Sequence, residues 1–139
     1  MVKTALVTSN LSEEMIKAGK YLIEQLDLTN SEIKSFFWLF FPEEKTWKLI
    51  IASPIVEKEG PRNFYKRIID INREVERHQE ETISLNNIIV TGLKNEIVKL
   101  LGFLIGTDDS ISGIRCSGNT INGTYIEDAY IYRSNILNS

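Results

Sequence analysis

The stretch Phe36-Phe37-Trp38-Leu39-Phe40-Phe41-Pro42-Glu43-Glu44-Lys45-Thr46-Trp47-Lys48-Leu49-Ile50-Ile51-Ala52-Ser53 decides the architecture of this chain. Two β-prone runs flank the polar connection Pro42 to Thr46, and a five-residue loop with proline near its start predicts an antiparallel hairpin. Successive side chains on a strand point to opposite faces. The second run therefore sets Trp47, Leu49 and Ile51 on one side and Lys48, Ile50 and Ala52 on the other, while the first is apolar on both. At least one of these strands is expected to be covered on both faces, as the centre of a sheet.

Helical spacing surrounds the hairpin. Leu11, Met15, Ala18, Leu22 and Leu26 recur at steps of three and four, with Asn10 and Glu13 as a capping-box-like start and Thr29-Asn30-Ser31 as a break, so the spacing predicts a helix over 11–27. Gly60-Pro61 opens a second helix over 61–79, carried by Phe64, Ile68, Ile71 and Val75. An extended stretch over 82–91, interrupted at Asn86-Asn87, leads into a third helix over 93–105 that Gly106 and Asp108-Asp109 close. The last third reads as a second hairpin, Ile111 to Ser117 and Thr124 to Arg133, through a turn rich in Gly118, Asn119, Asn122 and Gly123. Asn122-Gly123 is a type I′ signature. The expected order is αββαβαββ: a single α/β or α+β domain over 1–139, with a mixed sheet of about five strands and three helices.

Composition narrows the class. A chain of 139 residues with 42% apolar and 25% charged residues has the make-up of an ordinary globular domain, and one of this length buries about 68% of its unfolded surface. The formal charge is −3 and the basic residues form no patch, so nucleic acid is not an expected partner. The longest apolar run, Phe36 to Phe41, is far shorter than a membrane span, and Met1-Val2-Lys3-Thr4-Ala5-Leu6-Val7-Thr8-Ser9-Asn10 has too little apolar sequence for a signal peptide. A cytoplasmic location is expected, with which the single Cys116 agrees, since one cysteine makes no internal disulfide.

Two stretches carry a resemblance. Trp47-Lys48-Leu49-Ile50-Ile51-Ala52-Ser53-Pro54, followed by Glu59-Gly60-Pro61-Arg62 and Tyr65, resembles a group of small bacterial hypothetical proteins. So does the ending Asn119-Thr120-Ile121-Asn122-Gly123-Thr124-Tyr125-Ile126-Glu127-Asp128-Ala129-Tyr130-Ile131-Tyr132-Arg133. The resemblance covers most of the chain and implies a bacterial source and a shared fold. It implies no activity and no catalytic residues.

The motifs with the most specific chemistry are missing: there is no GxxxxGK[ST], GxGxxG, GxSxG, HExxH or CxxC, and neither a cofactor nor a metal is expected. Cys116 and His78 are each the sole residue of their kind, and the predicted elements put one in a strand and the other at a helix end, so they read as a small buried hydrophobe and a solvated residue. The two E-x-K triplets, Glu32-Ile33-Lys34 and Glu43-Glu44-Lys45, lack the sheet setting of a metal-dependent nuclease core. Along the second helix, Arg62, Lys66, Arg67, Arg73 and Arg77 balance Asp70, Glu74, Glu76, Glu80 and Glu81, which is the pattern of a solvated, ion-paired face.

Five residues remain as candidates for ligand binding. Arg62 follows a helix N-terminus, where free N–H groups and the helix dipole favour an anion, although Pro61 removes one donor. Strict alternation on the last strand places Tyr125, Glu127, Ala129, Ile131 and Arg133 on one face and Ile126, Asp128, Tyr130 and Tyr132 on the other. Glu127 and Asp128 then point apart and form no dyad, yet each shares a largely apolar face, so at least one needs a cation such as Arg115, Arg133 or Arg62. Two functions fit. The first is a non-enzymatic association module, binding itself or a subunit of a larger bacterial assembly, motivated by apolar residues on both faces of 36–41 and 47–51 that three modest helices would not fully cover. The second is a small hydrolase or ligand-binding protein for a phosphate or other anion. In that reading Arg62 or Arg115 holds the anion, Asp128 or Glu127 serves as acid, base or metal ligand, and Tyr130 lines the pocket.

Overall fold

The first helix, α1 (Glu13–Leu28), begins where the Ser12 side chain accepts from the Met15 N–H at 3.2 Å; the cap is thus Ser12 and not Asn10. The computed structural model describes residues 4–78 and 81–136. Met1, Val2 and Lys3 of the N-terminal reading lie outside the described residues, as do Gln79 at the expected end of the second helix, Glu80 in its charge balance, and residues 137–139.

The hairpin forms as expected, from β1 (Ser35–Phe41) and β2 (Thr46–Ala52), with Phe40 opposite Trp47 and Phe36 opposite Ile51. A six-residue helix α2 (Pro54–Glu59) and then α3 (Pro61–Arg77) lead to β3 (Ile88–Thr91), which lies parallel to β2. Helix α2 escaped the periodicity argument because six residues make fewer than two turns. Its signal is local: Ser53 accepts from the Ile55 N–H, Pro54 stands at the first helical position, and Gly60 ends it at φ 87°. Helix α4 (Glu96–Leu104) starts later than expected, because Asn95 Oδ1 accepts from Ile97 N and Val98 N and so fixes the cap.

The final hairpin, β4 (Ile114–Ile121) and β5 (Thr124–Ser134), turns on Asn122 and Gly123 at φ 48° and 83°. Both positive angles are what a type I′ turn requires. Gly118 and Asn119, expected in the turn, belong to β4 instead. The result is one mixed five-stranded sheet in the order β3-β2-β1-β5-β4, within a single α+β domain.

Two cores lie on the two faces of this sheet. On the first, α1, α2 and α3 bring Met15, Ile23, Leu26, Ile55, Phe64 and Ile68 against Phe36, Trp38, Trp47, Leu49 and Ile51. On the second, Val98 and Leu101 of α4 pack over Phe37, Leu39, Ile50, Ala52, Ala129 and Ile131. The first five residues of β1 and the last four of β2 are buried, so the hairpin is covered on both faces. The expectation of incomplete cover there is corrected: α1, α3 and the additional helix α2 cover the first face and α4 covers the second. Among the described residues no helix is long and apolar enough to cross a membrane.

Strand β5 departs from strict alternation twice. Phe36 pairs with Arg133 but Phe37 pairs with Ile131, so Tyr132 is an extra residue and the register shifts. Arg133 is thereby turned away from Ile131 and toward α1, where it meets Asp27. Ile126 joins the second core with Ala129 and Ile131, a spacing of three and then two. The break falls where Gly118, at φ 65°, stands between the paired residues Ser117 and Asn119 of β4.

Candidate functional site at the free edge of the sheet

Pairing of β4 with β5 sets Arg115 beside Tyr130 and Ser117 beside Asp128. The Arg115 guanidinium grips Asp128 with two bonds, Nε to Oδ1 at 2.7 Å and Nη2 to Oδ2 at 2.6 Å, and the Ser117 hydroxyl donates to Oδ1 at 2.9 Å. Beyond the pair, Arg115 lies over the Trp47 ring, 5.5 Å from its centroid. These side chains stand on the first face, at the margin of the core. Arg115 is half exposed and Asp128 mostly covered, at 49% and 22%.

The hydrogen bonds from Arg115 hold the Asp128 carboxyl below the usual carboxylate range against the opposing effect of partial burial, with Ser117 adding to the lowering. The same pair raises the Arg115 guanidinium further above neutrality. A carboxyl whose folded value is depressed adds stability above its unfolded value, near pH 4, and that stability is lost as the pH falls through the folded value. Because Arg115 is half exposed, Asp128→Asn should cost about 1 kcal/mol at neutral pH, well below the cost of breaking a fully buried pair. The gap between wild type and variant in denaturant melts should close below pH 4. A gap that stays constant into acid would show that the ion pair is not its source.

The five candidate residues divide. Arg115, Asp128 and Tyr130 come together on one face of the β4/β5 ladder. Tyr130 packs edge-on to Tyr132 at 5.2 Å, and its hydroxyl sits against Gly113, where a Cβ would collide with it. Glu127 is exposed and contributes nothing to the cluster. Arg62 is exposed in the first turn of α3 and makes no ion pair among the described residues. Cys116 is buried in the second core, where loss of solvent pushes its thiol up, away from a reactive thiolate. His78 is exposed at the end of α3, on the opposite side of the sheet. No group of three or more potential metal ligands occurs among the described residues.

A second polar cluster was not legible as such. Arg133, 5% exposed, bonds Asp27 through Nη1 to Oδ1 at 2.9 Å and Nη2 to Oδ2 at 2.8 Å. It also donates to the Ile33 carbonyl at 3.2 Å and to the Asp109 carbonyl at 2.5 Å. An open cleft of about 320 Å3 borders it, lined by Asp27, Asn30 to Lys34 and Asp109. Asp27 carries the one available signal: an acidic side chain in the last turn of a helix opposes the dipole and calls for a cation.

No family model, no curated protein and no solved structure matches the chain.

Proposed function

We propose that this protein is a non-enzymatic association module and that its docking element is the free edge of β4. The observation that carries this reading is the make-up of the strand. β4 is eight residues long, is hydrogen-bonded along one side only among the described residues, and contains no lysine, no acidic residue and no proline. Exposed edges are normally blunted by such residues or by bulges, because a row of unpaired N–H and C=O groups invites another strand, and β4 has only the irregularity at Gly118. Its one charge, Arg115, is neutralised by Asp128. The opposite edge is treated differently. β3 has four residues, the Tyr65 hydroxyl donates to the Ile88 carbonyl at 2.9 Å, and Glu57 accepts from Leu93 N at 2.8 Å just beyond the strand.

The polar cluster beside β4 supports association more than anion binding, since the guanidinium an anion would need is already held by two bonds to a carboxylate. The test is site-specific photo-crosslinking in cells. A photoreactive residue in place of exposed Thr120 should give a crosslinked protein species, whereas one in place of exposed Lys66 on α3 should give none. Absence of any crosslinked species from position 120 would overturn the reading.

A further inference from the structure

We infer that the strand received by this edge is β4 of a second copy of the chain, antiparallel about a twofold axis between Ser117 and Gly118. The inference rests on the association reading above and adds the partner and the register. An axis at that point pairs Ile114 with the second copy's Ile121, Arg115 with its Thr120, Cys116 with its Asn119 and Ser117 with its Gly118. Such an interface is closed and uses one patch twice.

The pattern of β4 is self-complementary in this register. Ile114 and Ile121, seven positions apart, would face opposite ways under strict alternation. Both nevertheless pack on the second core, since alternation breaks at Gly118, and both remain only half buried. About the twofold axis each isoleucine lies against the other's counterpart on one continuous face, which covers the apolar surface that a lone chain leaves open at both ends of the strand. Cys116 and Asn119, already in contact through Asn119 Nδ2 to Sγ at 3.2 Å, face their equivalents beside the axis. No like charges are opposed, because Arg115 meets an uncharged threonine. The product is a ten-stranded sheet running from β3 of one copy to β3 of the other, with its long open edges removed.

Thr120 makes the register testable, because it is exposed in the single chain and stands opposite the only charge of the partner strand. Sedimentation equilibrium of the purified full chain should show a dimer. Thr120→Lys, which sets a cation against Arg115 at two symmetric places, should weaken dimerisation about tenfold or more. Thr120→Glu, which sets a carboxylate there, should retain or strengthen it. A wild-type chain that stays monomeric overturns the inference, and so does a dimer weakened equally by both substitutions. If the chain is monomeric while position 120 crosslinks to another protein, the self-pairing fails and the edge reading stands. If position 120 crosslinks to nothing, both fail.

Discussion

Trp47→Ala should lower the unfolding free energy by about 3 to 5 kcal/mol. Trp47 is 1% exposed and belongs to the first core with Leu49 and Ile51. Its ring packs against Phe40 at a centroid distance of 5.4 Å and carries the Arg115 guanidinium above it. Truncation removes the largest kind of side chain from a sheet centre whose two faces are both occupied, so the surrounding β-structure has little freedom to collapse into the void. Its indole N–H also donates to the Ser9 carbonyl at 3.1 Å and so ties the segment before α1 to the sheet. Ser9 is exposed, so its carbonyl gains water in the variant and adds little to the loss. Urea melts measure the effect, and a loss under about 1 kcal/mol would contradict the buried placement.

Asp27→Ala should cost about 2 to 3 kcal/mol, less than breaking a fully buried pair because Asp27 is 37% exposed, and Arg133→Met should cost less still. The asymmetry follows from exposure. Without Asp27, a guanidinium that is 5% exposed loses its counter-charge and keeps only the Ile33 and Asp109 carbonyls, with water reaching it solely from the bordering cleft. Without Arg133, the carboxylate left behind is 37% exposed and rehydrates, while the Ile33 and Asp109 carbonyls each lose a donor. A double-mutant cycle with Asp27→Ala and Arg133→Met should recover part of the larger loss, since it removes the stranded charge. Equal costs for the two single substitutions would show that the cation is hydrated despite its burial.

Much of the fold was legible because it rests on local periodicity. Phe36 to Ser53 announced a hairpin, Phe64, Ile68, Ile71 and Val75 announced α3, and Asn122-Gly123 announced the turn, since each signal lies within one element and is read out by that element's own geometry. Helix α2 was missed because its signal is a cap and a proline without a stripe. The candidate site was half legible. A carboxylate at position 128 needing a cation, with Arg115 among the choices, follows from chemistry on one strand. The choice of Arg115 over Arg133 depends on which strand neighbours β5 and in what register.

The sequence by itself determined the two hairpins, three of the four described helices and their order, the central place of the first hairpin in the sheet and the need to neutralise a charge on the last strand. Only the tertiary structure decided that Tyr132 is an extra residue in β5, which turns Arg133 toward Asp27, and that alternation breaks at Gly118, which puts Ile114 and Ile121 on one face. It also decided that the edges fall to the short β3 and the longer β4. The physical reason is one of range. Side-chain direction within a regular strand is fixed by covalent geometry over two residues, whereas a bulge, a register and an edge are properties of strand pairs, set by packing between segments as distant as Asp27 and Arg133.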